Sequence, residues 1–262
     1  MRILFLGDVV GRPGYAAVTS QLPQIRSELS LDFVVVNAEN AADGSGLTVR
    51  QFAGLVAAGV DAITMGDHIY RKLELKAVLE ADPRIVKPAN FPAAAPGRPW
   101  TVLSTAQGAE VAVISLLGRV FMRPVDCPFA AADRVLQEIP AAVKVRLVDV
   151  HAEATSDKQL LGHYLAGRVS AVLGTHTHVP TADARILAGG TAYQTDVGMS
   201  GPYDSVIGRD VQRVTLTTTT FEPVHFHVAT GDVRLCGAVI EIDPATGQAI
   251  AIERFERAVA ET

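Results

Sequence analysis

Cysteine is scarce in this 262-residue chain: Cys127 and Cys236 are the only two, and no metal-ligand spacing relates them. That excludes a disulfide framework and a cysteine-built zinc site, and it suits a reducing compartment. An excess of basic residues is also missing, with 23 Lys and Arg against 28 Asp and Glu and a formal net charge of −5. No chain-wide field therefore draws the protein to a nucleic-acid backbone, although a local basic patch stays open. No apolar run approaches the roughly 20 residues of a membrane-spanning helix. The apolar start, Met1 to Val10, is broken by Gly7-Asp8 and is too short for a signal peptide. Gly11-Arg12-Pro13-Gly14 has neither the Lys-Ser/Thr ending of a P-loop nor G-x-G-x-x-G spacing, which excludes a nucleoside-triphosphate loop. Repeats and low-complexity linkers are absent. With 48% hydrophobic residues, the expectation is a cytoplasmic globular protein, one domain over residues 1–262, with no membrane contact.

Short β-rich runs alternate with helical patterns over the first 200 residues. The strands expected are Ile3–Leu6, Phe33–Val36, Ala62–Met65, Val111–Leu117, Val145–Val150 and Ala171–Leu173. Between them, helices are expected over Ala16–Leu29, kinked or ended near Pro23, and over Thr48–Ala58, capped by Thr48 and stopped by Gly59. A third is expected over Ala130–Val143, and a fourth after a Ser156-Asp157-Lys158-Gln159 capping box. Pro88–Pro99 reads as a surface loop. Val211–Thr220, Pro223–Thr230, Arg234–Ile242 and Gln248–Arg257 read as strands of an antiparallel meander closing a second sheet. The alternation specifies an α/β layered fold.

Ligand-type side chains follow one strand after another. Leu6 leads to Gly7-Asp8, and Val36 to Asn37-Ala38-Glu39-Asn40. Met65 leads to Gly66-Asp67-His68, Val150 to His151-Ala152-Glu153, and Leu173 to Gly174-Thr175-His176-Thr177-His178. Sites in α/β sheets form outside the carboxyl ends of the strands, so these groups are expected along one edge. Mixed imidazole and carboxylate suits iron, manganese or zinc better than calcium or magnesium. In extended backbone, His176 and His178 share a face roughly 6.5–7 Å apart. That suits ligands on neighbouring ions about 3.5–4 Å apart. Asp8, Glu39 and Asp67 oppose three negative charges to the four of two divalent ions. The remainder binds phosphate and lowers a water pKa from 15.7 towards roughly 7.

Gly7-Asp8, Gly66-Asp67-His68 and Gly174-Thr175-His176-Thr177-His178 resemble the motifs of calcineurin-like metallophosphoesterases. The longer segments resemble their bacterial YmdB-type branch more closely. These are Gly7-Asp8-Val9-Val10-Gly11-Arg12-Pro13-Gly14, Asn37-Ala38-Glu39-Asn40-Ala41-Ala42, His151-Ala152-Glu153-Ala154-Thr155-Ser156 and Thr195-Asp196-Val197-Gly198-Met199. The resemblance spans residue 1 to about 210. It implies a two-sheet sandwich flanked by helices, a dinuclear site that is usually iron, and phosphodiesterase activity on cyclic nucleotides, including 2′,3′-cyclic ones. By position, Asp8, Glu39, Asn40 and His178 would hold one ion. Glu39, Asp67, His151 and His176 would hold the other, and His68 would protonate the leaving oxygen. Two departures stand out: Val10 where the wider superfamily has histidine, with Asn40 taking that role, and Asp67 where asparagine is expected.

Other residues carry weaker readings. Glu153 and Asp196 are expected to orient histidines. Arg12, Arg119 and Arg123 are phosphate clamps or solvated charges. Thr155 and Ser156 are caps, while Ser115 and Ser205 have no base beside them. His163, His225 and His227 have no chemical part. The expected substrate is a small phosphodiester opened by hydroxide from the ions. RNA is open but not implied by charge, and the chain is expected to form a homo-oligomer. Two alternatives stand beside this: a phosphomonoesterase or nucleotidase on the same ions, and a nucleotide- or RNA-sensing module without turnover.

Overall fold

The structure is a computed structural model and describes residues 1–259. In chain order it begins β1 (Arg2–Leu6), β2 (Asp8–Val9), α1 (Gly11–Glu28), β3 (Phe33–Asn37), α2 (Val49–Ala57), β4 (Ala62–Thr64), α3 (Lys76–Ala81) and β5 (Ile85–Val86). There follow β6 (Trp100–Ser104), β7 (Glu110–Leu117), α4 (Pro128–Glu138), β8 (Val145–His151), α5 (Thr155–Leu165) and β9 (Ala171–Thr175). The chain closes with β10 (Arg185–Leu187), β11 (Thr191–Gln194), β12 (Met199–Pro202), α6 (Val211–Thr220), β13 (Val233–Ile242) and β14 (Ala249–Ala258).

Side chains alternate across a strand, and in the central strands both faces are apolar. Ile3, Phe5, Phe33 and Val35 point to one side, where they meet Val111, Val113, Leu147 and Leu173. Leu4, Leu6, Val34 and Val36 point to the other, against Val18, Leu22 and Ile25 of α1 and Phe52 and Leu55 of α2. On the far side of the second sheet, Ile114, Leu116, Val148 and Val150 pack on residues of α4 and α5. The expected sandwich of two sheets between helices is therefore what the burial pattern builds. The first sheet runs β2-β12-β13-β1-β3-β4-β5 with β14 on β13, and the second runs β10-β11-β9-β8-β7-β6. β1, β3 and β4 are parallel, as are β7, β8 and β9, so each set delivers its carboxyl ends together.

Several local expectations are corrected. The C-terminal strands do not build the second sheet; β13 pairs β1, β12 and β14 in the first. Val211–Thr220 is the helix α6, not a strand. The Asp210 side chain caps it by accepting the Arg213 N–H at 2.9 Å, and none of its residues is buried. The β-leaning Thr and Val residues have no sheet to join there, so the local cap decides. Pro223–Thr230 forms no strand, only a bridge between Val228 and Arg209. α1 starts at Gly11 and runs through Pro23, and α4 stops before Pro140. The Thr48 capping box forms with Gln51, but α5 has no side-chain cap. Asp157 accepts the backbone N–H groups of Arg119 and Val120 instead. The Pro88–Pro99 loop is anchored inside by Asn90, whose amide binds Leu117 and Asp126. Among the described residues no helix is long and apolar enough to cross a membrane.

Cys236 on β13 is buried, and burial pushes its thiol up to about 11, whereas Cys127 is partly accessible. At pH 8 a thiol reagent is expected to label Cys127 in the native protein and Cys236 only after denaturation. Equal labelling rates without denaturant would contradict this packing of β13.

Candidate metal centre

The carboxyl ends of β1, β3 and β4 meet those of β8 and β9 at one corner of the sandwich. Asp8, Glu39, Asn40, His151 and His178 are all buried there, and Asp67 and His68 are partly exposed at its rim. Glu39, Asp67, His151 and His176 each offer a donor atom, and these atoms lie within 4.8 Å of one another, a grouping that could hold a metal ion. Glu39 Oε1 is 3.2 Å from His151 Nε2, and Asp67 Oδ1 is 3.3 Å from the same nitrogen. His176 Nδ1 lies 3.0 Å from His151 Nε2. On the neighbouring side, His178 Nε2 is 3.2 Å from Asn40 Nδ2 and 3.7 Å from Asp8 Oδ1. The corner is so tight that Gly66 cannot carry a side chain: a Cβ would run into Glu39 Oε2 and the His151 ring.

Hydrogen bonds decide which ring nitrogens face the cluster. Thr175 Oγ1 donates to Asp149 Oδ1 at 2.7 Å, so it accepts from His151 Nδ1 at 2.9 Å and leaves Nε2 for the cluster. His178 Nδ1 donates to the Ile207 carbonyl at 2.9 Å, which again frees Nε2. His68 Nδ1 donates to Asn40 Oδ1 at 2.7 Å. The Asn40 oxygen therefore faces His68 and its nitrogen faces the cluster. An amide that ligated a cation through oxygen would exchange those two atoms.

Charge is compensated inside the corner. Burial alone would raise the Asp8 carboxyl, but the imidazoles of His178 and His151 outweigh it and hold the group at about 2. Burial opposes a proton on His151, yet Glu39, Asp67 and Asp8 raise its affinity well above the usual imidazole range. His176 is shifted the other way, by burial and by His151. One buried oxygen, Asp67 Oδ1, has no hydrogen-bond partner although it points among these donors. An unsatisfied carboxylate oxygen surrounded by imidazole nitrogens and a second carboxylate fits a cation.

The two histidines that follow β9 are not extended as expected: His176 has φ 91° and His178 φ 64°. The turn is over-determined by acceptors. Asp8 Oδ2 takes the His176 N–H at 2.9 Å, and Asp196 Oδ2 takes the Thr177 N–H at 3.1 Å and its hydroxyl at 2.6 Å. The result still sends His176 to the Asp67 side and His178 to the Asp8 side. Asp196 is thus not bonded to a histidine ring; it fixes the turn, together with the fully buried Lys158, whose Nζ is 2.7 Å away. Glu153 does meet a ring, at 3.2 Å from His176 Nε2. Arg123 shares a cavity wall with Asp67, whereas Arg12 lines a separate cleft between α1 and α2. Asp149, Thr175, Lys158, Thr64 and Asn37 support the site although no motif singles them out; their buried polarity inside apolar runs is the available signal.

A family model described as YmdB-like protein matches residues 4–255. The chain belongs to the YmdB-like family. A 2′,3′-cyclic-nucleotide 2′-phosphodiesterase of Bacillus subtilis (strain 168) is 48% identical over 255 residues, covering 97% of this chain and 96% of the relative. Among solved YmdB-like folds, a hypothetical protein from Thermus thermophilus has TM-score 0.92 at 44% identity, covering 98% of this chain and 99% of that one. A novel phosphatase from Mycoplasma pneumoniae has TM-score 0.91 at 34% identity, covering 98% and 93%. The chain thus has the architecture of the calcineurin-like metallophosphoesterases, of which this family is a branch.

Removing the ammonium behind the histidine turn leaves Asp196 buried and uncompensated. Lys158→Met is expected to lower unfolding stability by about 3–5 kcal/mol in urea titrations. A loss below about 1 kcal/mol would mean that the pair does not hold the turn.

Proposed function

We propose that this protein is a metal-dependent phosphodiesterase that opens cyclic nucleotides, 2′,3′-cyclic ribonucleotides foremost. The observation that carries the reading is the unpartnered Asp67 oxygen set among Glu39, His151 and His176, with Asp8, Asn40 and His178 alongside. Asp8, Glu39, Asn40 and His178 would hold one ion, and Glu39, Asp67, His151 and His176 the other. Iron is the first expectation, and manganese and zinc accept the same donors. When bound, such ions supply positive charge to phosphoryl oxygens and acidify a water.

The chain's own residues account for orientation and proton transfer. His151 and His178 are held by their Nδ1–H bonds, so their Nε2 lone pairs stay turned inward. His68 gives its Nδ1–H to Asn40, which makes Nε2 the atom that exchanges a proton. The hydrogen bond and charge of Glu39 raise its proton affinity, and Asp67 adds to this. As the bond from phosphorus to the 2′ oxygen breaks, His68 Nε2–H protonates that oxygen, and the hydroxyl from water remains on phosphorus. The 2′ bond is chosen after the Bacillus subtilis relative, whose name is that of a 2′-phosphodiesterase.

The test is an anaerobic preparation with metal analysis, assayed in parallel on cyclic nucleotides and on monoesters. Turnover of the cyclic substrate with two ions per chain is expected; release of inorganic phosphate from monoesters alone would favour a phosphatase. His68→Ala should keep its metal and lose turnover by about 10²–10⁴-fold, the usual contribution of a general acid. An unchanged rate would remove His68 from the mechanism. Asp67 adds a negative charge where the family pattern expects a neutral amide. Asp67→Asn is therefore expected to retain metal less tightly and to turn over faster per loaded site. No change in either quantity would sink that role.

A further inference from the structure

The metal corner opens on the Asp67 side into a cavity of about 460 Å³, walled by Asp67, Tyr70, Arg71 and Arg123. The two guanidinium groups there differ from the other arginines. Arg26, Arg84, Arg168 and Arg234 each hold a carboxylate. Arg71 and Arg123 hold none among the described residues, although Asp67 lies on the same wall. Arg123 is supported from behind: its guanidinium lies over the Phe91 ring at 5.6 Å, and Tyr70 packs on the same ring at 6.1 Å. The Tyr70 hydroxyl is itself fixed on the Pro96 carbonyl at 2.7 Å. Arg71 continues the turn that carries the proton donor, its N–H bonded to the His68 carbonyl at 3.0 Å. Two preorganised, unpaired cations therefore flank the side of the corner on which His68 stands.

That side is where the sugar must lie. If His68 protonates the departing 2′ oxygen, the ribose is beside His68 and its 5′ substituent extends outward, into this cavity. A lone cyclic mononucleoside phosphate has a single anionic group, which the metal corner takes. We infer that Arg71 and Arg123 form a second phosphate subsite, so that the preferred substrate carries another phosphate on the 5′ side of the cyclic one. That phosphate is a 5′-monophosphate or the internucleotide link of an RNA end closed by a 2′,3′-cyclic phosphate. The inference rests on the phosphodiesterase reading and on His68 as its proton donor.

The metal-loaded enzyme is assayed on adenosine 2′,3′-cyclic phosphate, on its 5′-phosphorylated form, and on an adenosine dinucleotide ending in the cyclic phosphate. A second phosphate is expected to raise kcat/KM by at least about tenfold, mainly through KM, as charge-assisted hydrogen bonds from arginine would give. In Arg71→Gln/Arg123→Gln that ratio between substrates should fall towards one. The lysine pair should restore part of it, with an unchanged Tm confirming that each variant is folded. A gain on the dinucleotide alone assigns the internucleotide phosphate, and a gain on both assigns any 5′ phosphate. Turnover of the bare cyclic nucleotide with no gain from a second phosphate overturns the inference, as does a gain that survives in the glutamine variant. Hydrolysis of none of the three overturns the phosphodiesterase reading itself.

Discussion

Asp149 ties the two sheets together immediately beneath the donor cluster, and the geometry above it depends on that knot. Its carboxylate accepts from Asn37 and Thr64 at the ends of β3 and β4, and from Thr175 at the end of β9. Burial pushes the group up to about 6, against the pull of His151 and the three hydrogen bonds, so it is held by neighbours and not by water. Buried networks of this kind are stable only when every member is satisfied, and here each donor has its acceptor. Because Thr175 is committed to Asp149, the His151 ring has one orientation. The strand ends of both sheets are thereby set at a fixed separation, and the donors they carry inherit it.

The cluster above concentrates like charges that an apolar core would not tolerate. Asp8, Glu39 and Asp67 sit within a few ångströms of the same imidazole groups. Their proximity is sustained from outside: the knot below, the Lys158–Asp196 pair behind the histidine turn, and the Ile207 carbonyl beyond His178. Two histidines with left-handed backbone are costly in isolation. They persist because acceptors on either side, Asp8 and Asp196, claim the N–H groups that this conformation exposes.

Much of this is legible in the chain. The central strands read correctly because burial on both faces makes each a continuous apolar run, as in Phe33–Asn37 and Ala171–Thr175. The donors stand out because they are polar residues of ligand type at the ends of those runs. What escapes a reading of the sequence depends on partners far away along it. Asp149 looks like an interruption of a strand until Asn37, Thr64 and Thr175 are beside it. Lys158 looks like a solvent-facing helix residue until Asp196 is found 2.7 Å away. The spacing of His176 and His178 suggests an extended pair, because period-two reasoning knows nothing of acceptors waiting on a neighbouring strand. α6 misleads for the converse reason: its Thr and Val content favours a strand, but no neighbouring edge is free to receive it.

The antiparallel pairing of β1 with β13 has a kinetic consequence. Arg2 lies opposite Glu241 and Leu6 opposite Gly237, so the strand that leads into Asp8 acquires one of its two neighbours from the far end of the chain. Contacts of such large sequence separation form slowly, because a long loop must close before they give anything back. During synthesis, β1 and β3 can pair and collect α1 and α2, yet the Asp8 side of the corner stays open-edged until the last hairpin is made. Assembly of the centre is thus a late event in the life of the nascent chain, and ion capture belongs after release of the polypeptide, not to its elongation.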